Sequence, residues 1–159
     1  MAFFPTTTSF FHRFARSTVI PTTYAIPWAP LAGRILLCTI FILSGLTKLT
    51  DWHGTANYMA AHHLPLIPVM LPIAALVEIL GGLAILLGAR TRTAALLLFL
   101  YLIPTTLVFH NFWIATGLEH VNQLQHFLKN LAIMGGLALL VGLGPGFPSI
   151  DNSQTRRGL

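Results

Sequence analysis

The sequence predicts an all-α integral membrane protein, a bundle of four transmembrane helices with both termini in the cytoplasm. Charged residues make up 8% of the 159 residues and hydrophobic residues 55%, at a mean hydropathy of +0.75, whereas soluble domains carry about 25% charged residues. Four apolar stretches each approach the roughly 20 residues that cross a bilayer. The arginines cluster on one side of these stretches, as the positive-inside rule requires of cytoplasmic segments.

The four predicted spans cover residues 31–49, 68–87, about 94–109 and about 124–143. Seven arginines fall on one side of such a bundle: Arg13, Arg16, Arg34, Arg90, Arg92, Arg156 and Arg157. The loops on the opposite side contain no arginine. An even number of spans accounts for this asymmetry, and it places both termini in the cytoplasm.

Three regions follow from this division. Residues 1–30 form a cytoplasmic or interfacial segment, because phenylalanines recur at helical spacing beside two arginines in residues 10–16, a pattern typical of a helix lying on a membrane surface. Residues 31–151 form the transmembrane domain, and residues 152–159 form a cytoplasmic tail. Since this basic charge sits at loop positions, it predicts contact with the bilayer surface and not with nucleic acid.

Cysteine and histidine usage narrows the chemistry. A single cysteine, Cys38, excludes an internal disulfide and a dithiol redox pair. Six of the seven histidines lie on the predicted outer side, but no pair of ligands has the spacing of a metal site on a helix. We therefore expect no bound metal, and no cofactor is fixed by the sequence.

One apolar segment is repeated. Seven of ten positions are identical between residues 79–88 and residues 133–142. Convergence of low-complexity apolar sequence would explain the match, and so would two similar helical hairpins. Under the second interpretation, paired glycines face neighbouring helices because small residues let backbones approach closely. The glycines concerned are Gly81, Gly82, Gly135 and Gly136.

Glu78 is the most informative polar residue. It lies ten residues into the second span, about 15 Å deep at 1.5 Å per residue. A carboxylate at that depth needs a partner or a proton. Lys129, about five residues into the fourth span, is the expected partner, whereas Lys48 is expected to extend to the outer interface. The Glu78 carboxylate could serve a function or simply hold helices together.

Other polar residues belong to the same outer half of the bundle. His110 and Asn111 end the third span, and Asn130 follows Lys129 within an apolar run. Histidine exchanges protons near neutral pH, so a polar cavity here could bind a small ligand. Its expected lining comprises Lys48, Glu78, His110, Asn111, Lys129 and Asn130.

The order of these motifs resembles the DoxX family of small four-helix bacterial membrane proteins. The resemblance covers about residues 31–151 and rests on Arg34, FILSGLTKL (41–49), YMA (58–60), LP (64–65), VEILGG (77–82), GARTR (88–92), FHNF (109–112), FLKNL (127–131) and SID (149–151). It implies a bacterial inner membrane location and a link to respiratory or redox chemistry.

Two function classes follow. In the first, the chain is a redox-associated accessory subunit whose outer-half cavity binds a quinone-like ligand, with a membrane-protein partner or a second copy of itself. In the second, it is a non-catalytic structural or chaperone-like subunit of a larger membrane complex. A fold does not fix a function, and whether the chain is itself an enzyme stays open. A small-solute transporter is disfavoured because four helices enclose little volume.

Overall fold

The computed structural model describes residues 26–157, apart from the side chains of residues 154–157, and each regular element in that range is an α-helix. The elements are α1 (Ala29–Thr50), α2 (Trp52–Ala61), α3 (Ile67–Leu87), α4 (Thr91–Phe109), α5 (Gly117–Leu143) and α6 (Ile150–Arg157). Helices α1, α3, α4 and α5 are long and apolar enough to cross a membrane. The predicted all-helical, four-span fold class is confirmed. Most of the expected interfacial segment, residues 1–25, lies outside the described range.

Helix ends differ from the hydropathy boundaries. Helix α5 begins at Gly117, well before residue 124, because its first two turns are polar and an apolar pattern cannot detect them. Glu119 and Gln123 stabilise those turns through a side-chain hydrogen bond of 2.5 Å. Helix α2 is a further element, and the Asp51 carboxylate caps it by accepting a 3.1 Å hydrogen bond from the Gly54 N–H.

The four spans pack as two hairpins. Helix α1 packs mainly against α3, and α4 against α5, while α3 also contacts α4 and contacts between α1 and α5 are sparse. The spanning helices share a hydrophobic core formed by Cys38, Phe41, Ile85, Ala94, Ala95, Leu98, Leu102 and Leu137. Large apolar side chains also cover the outside of every span, as helices surrounded by lipid require.

Alternating helix directions give the bundle two chemically different ends. The arginine end contains Arg34, Arg90 and Arg92, together with the start of α1, the α3–α4 loop and α6. The histidine end contains His62 and His110, together with α2 and the α4–α5 loop. The names arginine end and histidine end describe positions in the bundle and do not say which side of the membrane each end faces. The orientation of the termini across the membrane stays a prediction.

The four repeat glycines do not behave alike. A Cβ atom on Gly81 would lie 2.9 Å from Leu98 Cγ, and one on Gly82 would lie 2.8 Å from Ile42 Cγ1, so both face neighbouring helices closely. Gly136 faces Leu37 at 3.5 Å. Gly135 is exposed with nothing within 4 Å, so the prediction that it packs against a helix is wrong. It lies on the side of α5 that no described helix covers.

Helices α1 and α3 also approach closely at a glycine outside the repeat. A Cβ atom on Gly45 would lie 2.6 Å from Ile79 Cγ1 and 3.1 Å from the carbonyl oxygen of Ala75. Glycine therefore allows these two backbones to approach one turn from Lys48 and beside Glu78, which brings the polar groups of the two helices within reach of each other.

Candidate functional site

A charged group lies inside the bundle on α1, α3 and α4. Lys48 Nζ donates hydrogen bonds to Glu78 Oε2 at 2.7 Å and to Ser44 Oγ at 2.8 Å. The Tyr101 hydroxyl donates to Glu78 Oε1 at 2.9 Å. We call these four residues the Glu78 cluster. Both carboxylate oxygens are satisfied, and the side chains of Lys48 and Glu78 are 18% and 6% exposed.

The partner of Glu78 is therefore Lys48, and the prediction of Lys129 is wrong. Side chains on a helix tilt toward the N-terminus of that helix. Helix α1 starts at the arginine end, so Lys48 points back into the bundle, and the Glu78 side chain on the oppositely directed α3 tilts toward it. Lys129 tilts toward the histidine end, away from Glu78, and its Nζ donates to His126 Nδ1 at 2.9 Å on an exposed surface.

Tyr101 is a member of the cluster that the sequence analysis missed. It lies ten residues into α4, about 15 Å from the arginine end, and Glu78 lies nine residues before the end of α3, about 14 Å from the same end. Because a tight turn joins the two helices, equal depth was a detectable signal that the phenol and the carboxylate could meet. The Thr105 hydroxyl donates to the carbonyl oxygen of Tyr101 at 2.8 Å.

The remaining expected cavity residues form two separate groups. Asn130 is buried, and its Nδ2 donates to the Thr106 hydroxyl at 3.0 Å, which joins α5 to α4. His110 Nδ1 lies 2.9 Å from Gln123 Oε1, and its ring stacks on that of His126 with centroids 5.0 Å apart. Asn111 is half-buried in the adjoining turn. The six residues thus do not converge on one cavity.

Histidines at the histidine end contact a backbone carbonyl and aromatic rings. His120 Nδ1 donates to the carbonyl oxygen of Phe112 at 2.8 Å. The His62 ring packs edge-on against Tyr58 and Phe109. Within residues 26–157, no three or more histidine, cysteine or acidic side chains are grouped so that they could hold a metal ion. These contacts instead attach α2 and the α4–α5 loop to the spans.

At the arginine end, arginine side chains cap helices. Arg34 Nη1 donates to the carbonyl oxygens of Ile85 and Leu86 at the end of α3, at 3.3 and 3.1 Å, and Nη2 donates to that of Pro148. Arg92 Nη1 donates to the carbonyls of Val141 and Gly142 near the end of α5, at 3.0 and 2.9 Å. Each hairpin thus begins with an arginine that satisfies the last carbonyls of its returning helix.

Asp151 caps the N-terminal end of α4. Its carboxylate accepts from the backbone N–H groups of Arg90 and Thr91 at 2.7 and 2.9 Å and from the Thr91 hydroxyl at 3.0 Å. Burial alone would raise the pKa of Asp151, but these hydrogen bonds and the nearby Arg34 charge lower it below its usual value. A negative charge at this position also complements the positive end of the α4 dipole.

Comparison with known proteins identifies the family of this chain. The model of the DoxX family matches residues 29–111. Inner membrane protein YqjF of Escherichia coli (strain K12) is 45% identical over 127 residues, which are 80% of this chain and 92% of that protein. Inner membrane protein YphA of the same organism is 35% identical over 127 residues, 80% of this chain and 91% of that protein.

A more distant relative is a eukaryotic protein. The ER-derived vesicles protein ERV29 of Saccharomyces cerevisiae is 25% identical over 123 residues, which are 77% of this chain and 33% of that protein. No solved structure matches the chain.

Proposed function

Because this chain belongs to the DoxX family and is a multi-pass inner membrane protein, we propose that it serves a redox or respiratory complex as an accessory subunit. Its role there is to bind a quinone-like ligand at the Glu78 cluster. The observation that carries this proposal is a charged Lys48–Glu78 pair, with a phenol, inside a bundle whose core is mostly apolar. Ionisable groups in spans are costly, so they commonly mark functional sites.

Lys48 has the capacity to bind such a ligand. An ammonium group has three N–H bonds, and among the described residues Lys48 uses two of them, for Glu78 and Ser44. The third is available to the carbonyl oxygen of a quinone ring. The Lys48 side chain is 18% exposed, so a ligand that approaches through the bilayer near the histidine end reaches it without unfolding the bundle.

Glu78 and Tyr101 would handle protons. Reduction of a quinone to a quinol takes up a proton at each carbonyl oxygen, and the electrons come from the partner complex. Lys48 would donate the hydrogen bond and then a proton to one oxygen, and the other oxygen would take its proton from water. The carboxylate of Glu78 would hold the resulting amine in place, take up a proton from water and pass that proton to the amine. The hydroxyl of Tyr101 keeps Glu78 oriented through its hydrogen bond to Oε1.

Two lysine variants test this function with matched charge changes. Lys48→Gln removes the ammonium group from the cluster, whereas Lys129→Gln removes the same charge from the exposed surface of α5. Each protein is purified in mild detergent, its circular dichroism spectrum is checked, and extracted quinone is quantified from the oxidised-minus-reduced absorbance difference. We expect quinone with the wild-type protein and Lys129→Gln, and a loss of at least tenfold with Lys48→Gln. Quinone absent from folded wild-type protein would contradict the proposal.

A second candidate function is a non-catalytic structural or chaperone-like subunit. The observation that favours it is that both carboxylate oxygens of Glu78 accept hydrogen bonds within the protein. These bonds join α1 and α4 to α3, as is expected of a residue that holds helices together.

The two candidates predict different effects of Tyr101→Phe. This substitution removes one hydroxyl from the cluster and keeps the ring, and Tyr58→Phe is its control at the histidine end. For a ligand site, Tyr101→Phe lowers bound quinone while the same protein partners co-purify. For a structural subunit, Tyr101→Phe lowers thermal stability and the yield of co-purified partner together, and no quinone is present in any variant.

A further inference from the structure

A pocket opens at the arginine end, between the start of α1, the end of α3 and the start of α6. Its volume is about 500 Å³. Part of its wall is apolar and part is polar, and the residues that matter here are Leu31, Leu86, Leu87, Arg34, Ser149 and Ser153. Because it lies where the spanning helices end, this pocket is placed at the level of lipid headgroups rather than acyl chains.

Arg34 gives the pocket its charge. Its side chain is only 1% exposed, and its hydrogen bonds go to backbone carbonyls of Ile85, Leu86 and Pro148. The carboxylate of Asp151 is near enough to attract this guanidinium, but none of these three hydrogen bonds goes to a carboxylate. Arg34 Nε is buried and has no hydrogen-bond acceptor among the described residues. A buried charge with an unsatisfied N–H favours an anion beside it.

The rest of the pocket suits the same ligand. Ser149 and Ser153 bring hydroxyl groups to its wall, and the first turn of α6 begins there, with the Asn152 N–H donating to Ser149 Oγ at 3.3 Å. Helix N-termini favour negative charge. The carboxylate of Asp151 attracts Arg34 from nearby, but its oxygens accept hydrogen bonds from Arg90 and Thr91 at the start of α4, and Arg34 Nε still lacks an acceptor within the described residues.

We propose that this pocket binds a phosphate group, which the guanidinium of Arg34 and the hydroxyl of Ser149 recognise, with Ser153 at the rim. The group could belong to a phospholipid headgroup or be free phosphate. The apolar wall, where Leu87 is 55% exposed, provides a surface for the glycerol and upper acyl region of a lipid. This site lies at the opposite end of the bundle from the accessible side of the Glu78 cluster and does not depend on quinone binding.

The test measures thermal stability of the delipidated full chain in dodecyl maltoside with three probes. These are dioleoyl phosphatidylglycerol, dioleoylglycerol, which has the same chains without phosphate, and inorganic phosphate. At about ten times the dissociation constant, a bound ligand should raise Tm by about 3–6 °C. We expect this shift with phosphatidylglycerol and not with dioleoylglycerol. An equal shift with inorganic phosphate identifies free phosphate as the ligand of the same site.

Two charge variants keep the test independent of Arg34, whose substitution could prevent folding. Ser153→Glu places a carboxylate at the exposed rim of the pocket, and Thr93→Glu places one on the exposed first turn of α4, away from it. Ser153→Glu should abolish the Tm shift, and Thr93→Glu should retain it. The proposal is overturned if neither phosphate probe shifts Tm, if dioleoylglycerol acts as well as the phospholipid, or if both variants lose the shift equally.

Discussion

The Lys48–Glu78 pair makes a quantitative prediction about stability. Glu78→Ala leaves the ammonium group of Lys48 without its carboxylate, with only the hydroxyl of Ser44 at 2.8 Å. Lys48→Ala leaves the carboxylate with the Tyr101 hydroxyl as its remaining donor. Each single change strands one group in a poorly solvated place, whereas the double change removes both charges.

The magnitudes follow from burial. Removing one partner of a fully buried pair costs about 3–5 kcal/mol. Lys48 is 18% exposed, so water and headgroups can partly solvate it, and we expect Glu78→Ala to cost about 2–3 kcal/mol. The loss in the double variant should be smaller than the sum of the single losses by about 1–3 kcal/mol, the range seen for residues in direct contact.

The assay is reversible unfolding in mixed micelles, with the free energy of unfolding measured for the wild type, both single variants and the double variant. The matched control is the cycle of Glu78→Ala with Lys129→Ala. Since Lys129 contacts His126 and not Glu78, these losses should add to within about 0.5 kcal/mol. Additivity in the Lys48 cycle, or coupling in the Lys129 cycle, would refute the pairing and the side-chain directions that explain it.

Three further predictions concern the two ends and the uncovered face of α5. Because the pKa of Asp151 is lowered, its contribution to stability is complete above its usual pKa and is lost as pH falls through the lowered value. Asp151→Asn should therefore remove the acid-side slope of a plot of Tm against pH, and an unchanged slope would contradict this. Gly136→Leu should cost about 1–3 kcal/mol by overpacking against α1, whereas Gly135→Leu on the open face should be nearly neutral in thermal melts, and equal losses would refute the packing. In a variant without the native cysteine, a cysteine at exposed Asn57 should react with an impermeant reagent in intact cells and one at exposed Thr93 should not; the reverse result would overturn the predicted orientation.

Several features of the site were accessible from the sequence for definite physical reasons. A carboxylate in mid-span must be buried with a partner, so Glu78 could be singled out without a structure. Tilt toward the helix N-terminus would also have favoured Lys48 over Lys129, because Lys48 lies near the C-terminal end of its span. Tyr101 could have been found by comparing depths across the α3–α4 turn. Depth alone favours Lys129, and depth does not show which way a side chain tilts, so the predicted pairing with Lys129 was wrong.

The arginines at the arginine end match the pattern of the positive-inside rule, and two of them also cap helices. Their clustering predicted the number of spans, since charge asymmetry depends only on which loops contain arginine. Their contacts were not predictable in the same way. Arg34 and Arg92 satisfy carbonyl groups at the ends of α3 and α5, and those partners are 49 or more residues away in the chain. The capping follows from which helices are neighbours, which is a property of the packed bundle.

Composition and hydropathy by themselves determined the membrane class, the four spans and the burial of Glu78, because the cost of placing a group in hydrocarbon depends on the group and its depth, both of which can be counted along the chain. Only the tertiary structure decided the rotation of each helix about its axis. That rotation places Lys48 and Tyr101 on Glu78, covers Gly136 and leaves Gly135 open. Apolar residues surround these helices on nearly all sides, so hydropathy does not specify the rotation, and side-chain packing between neighbouring helices does.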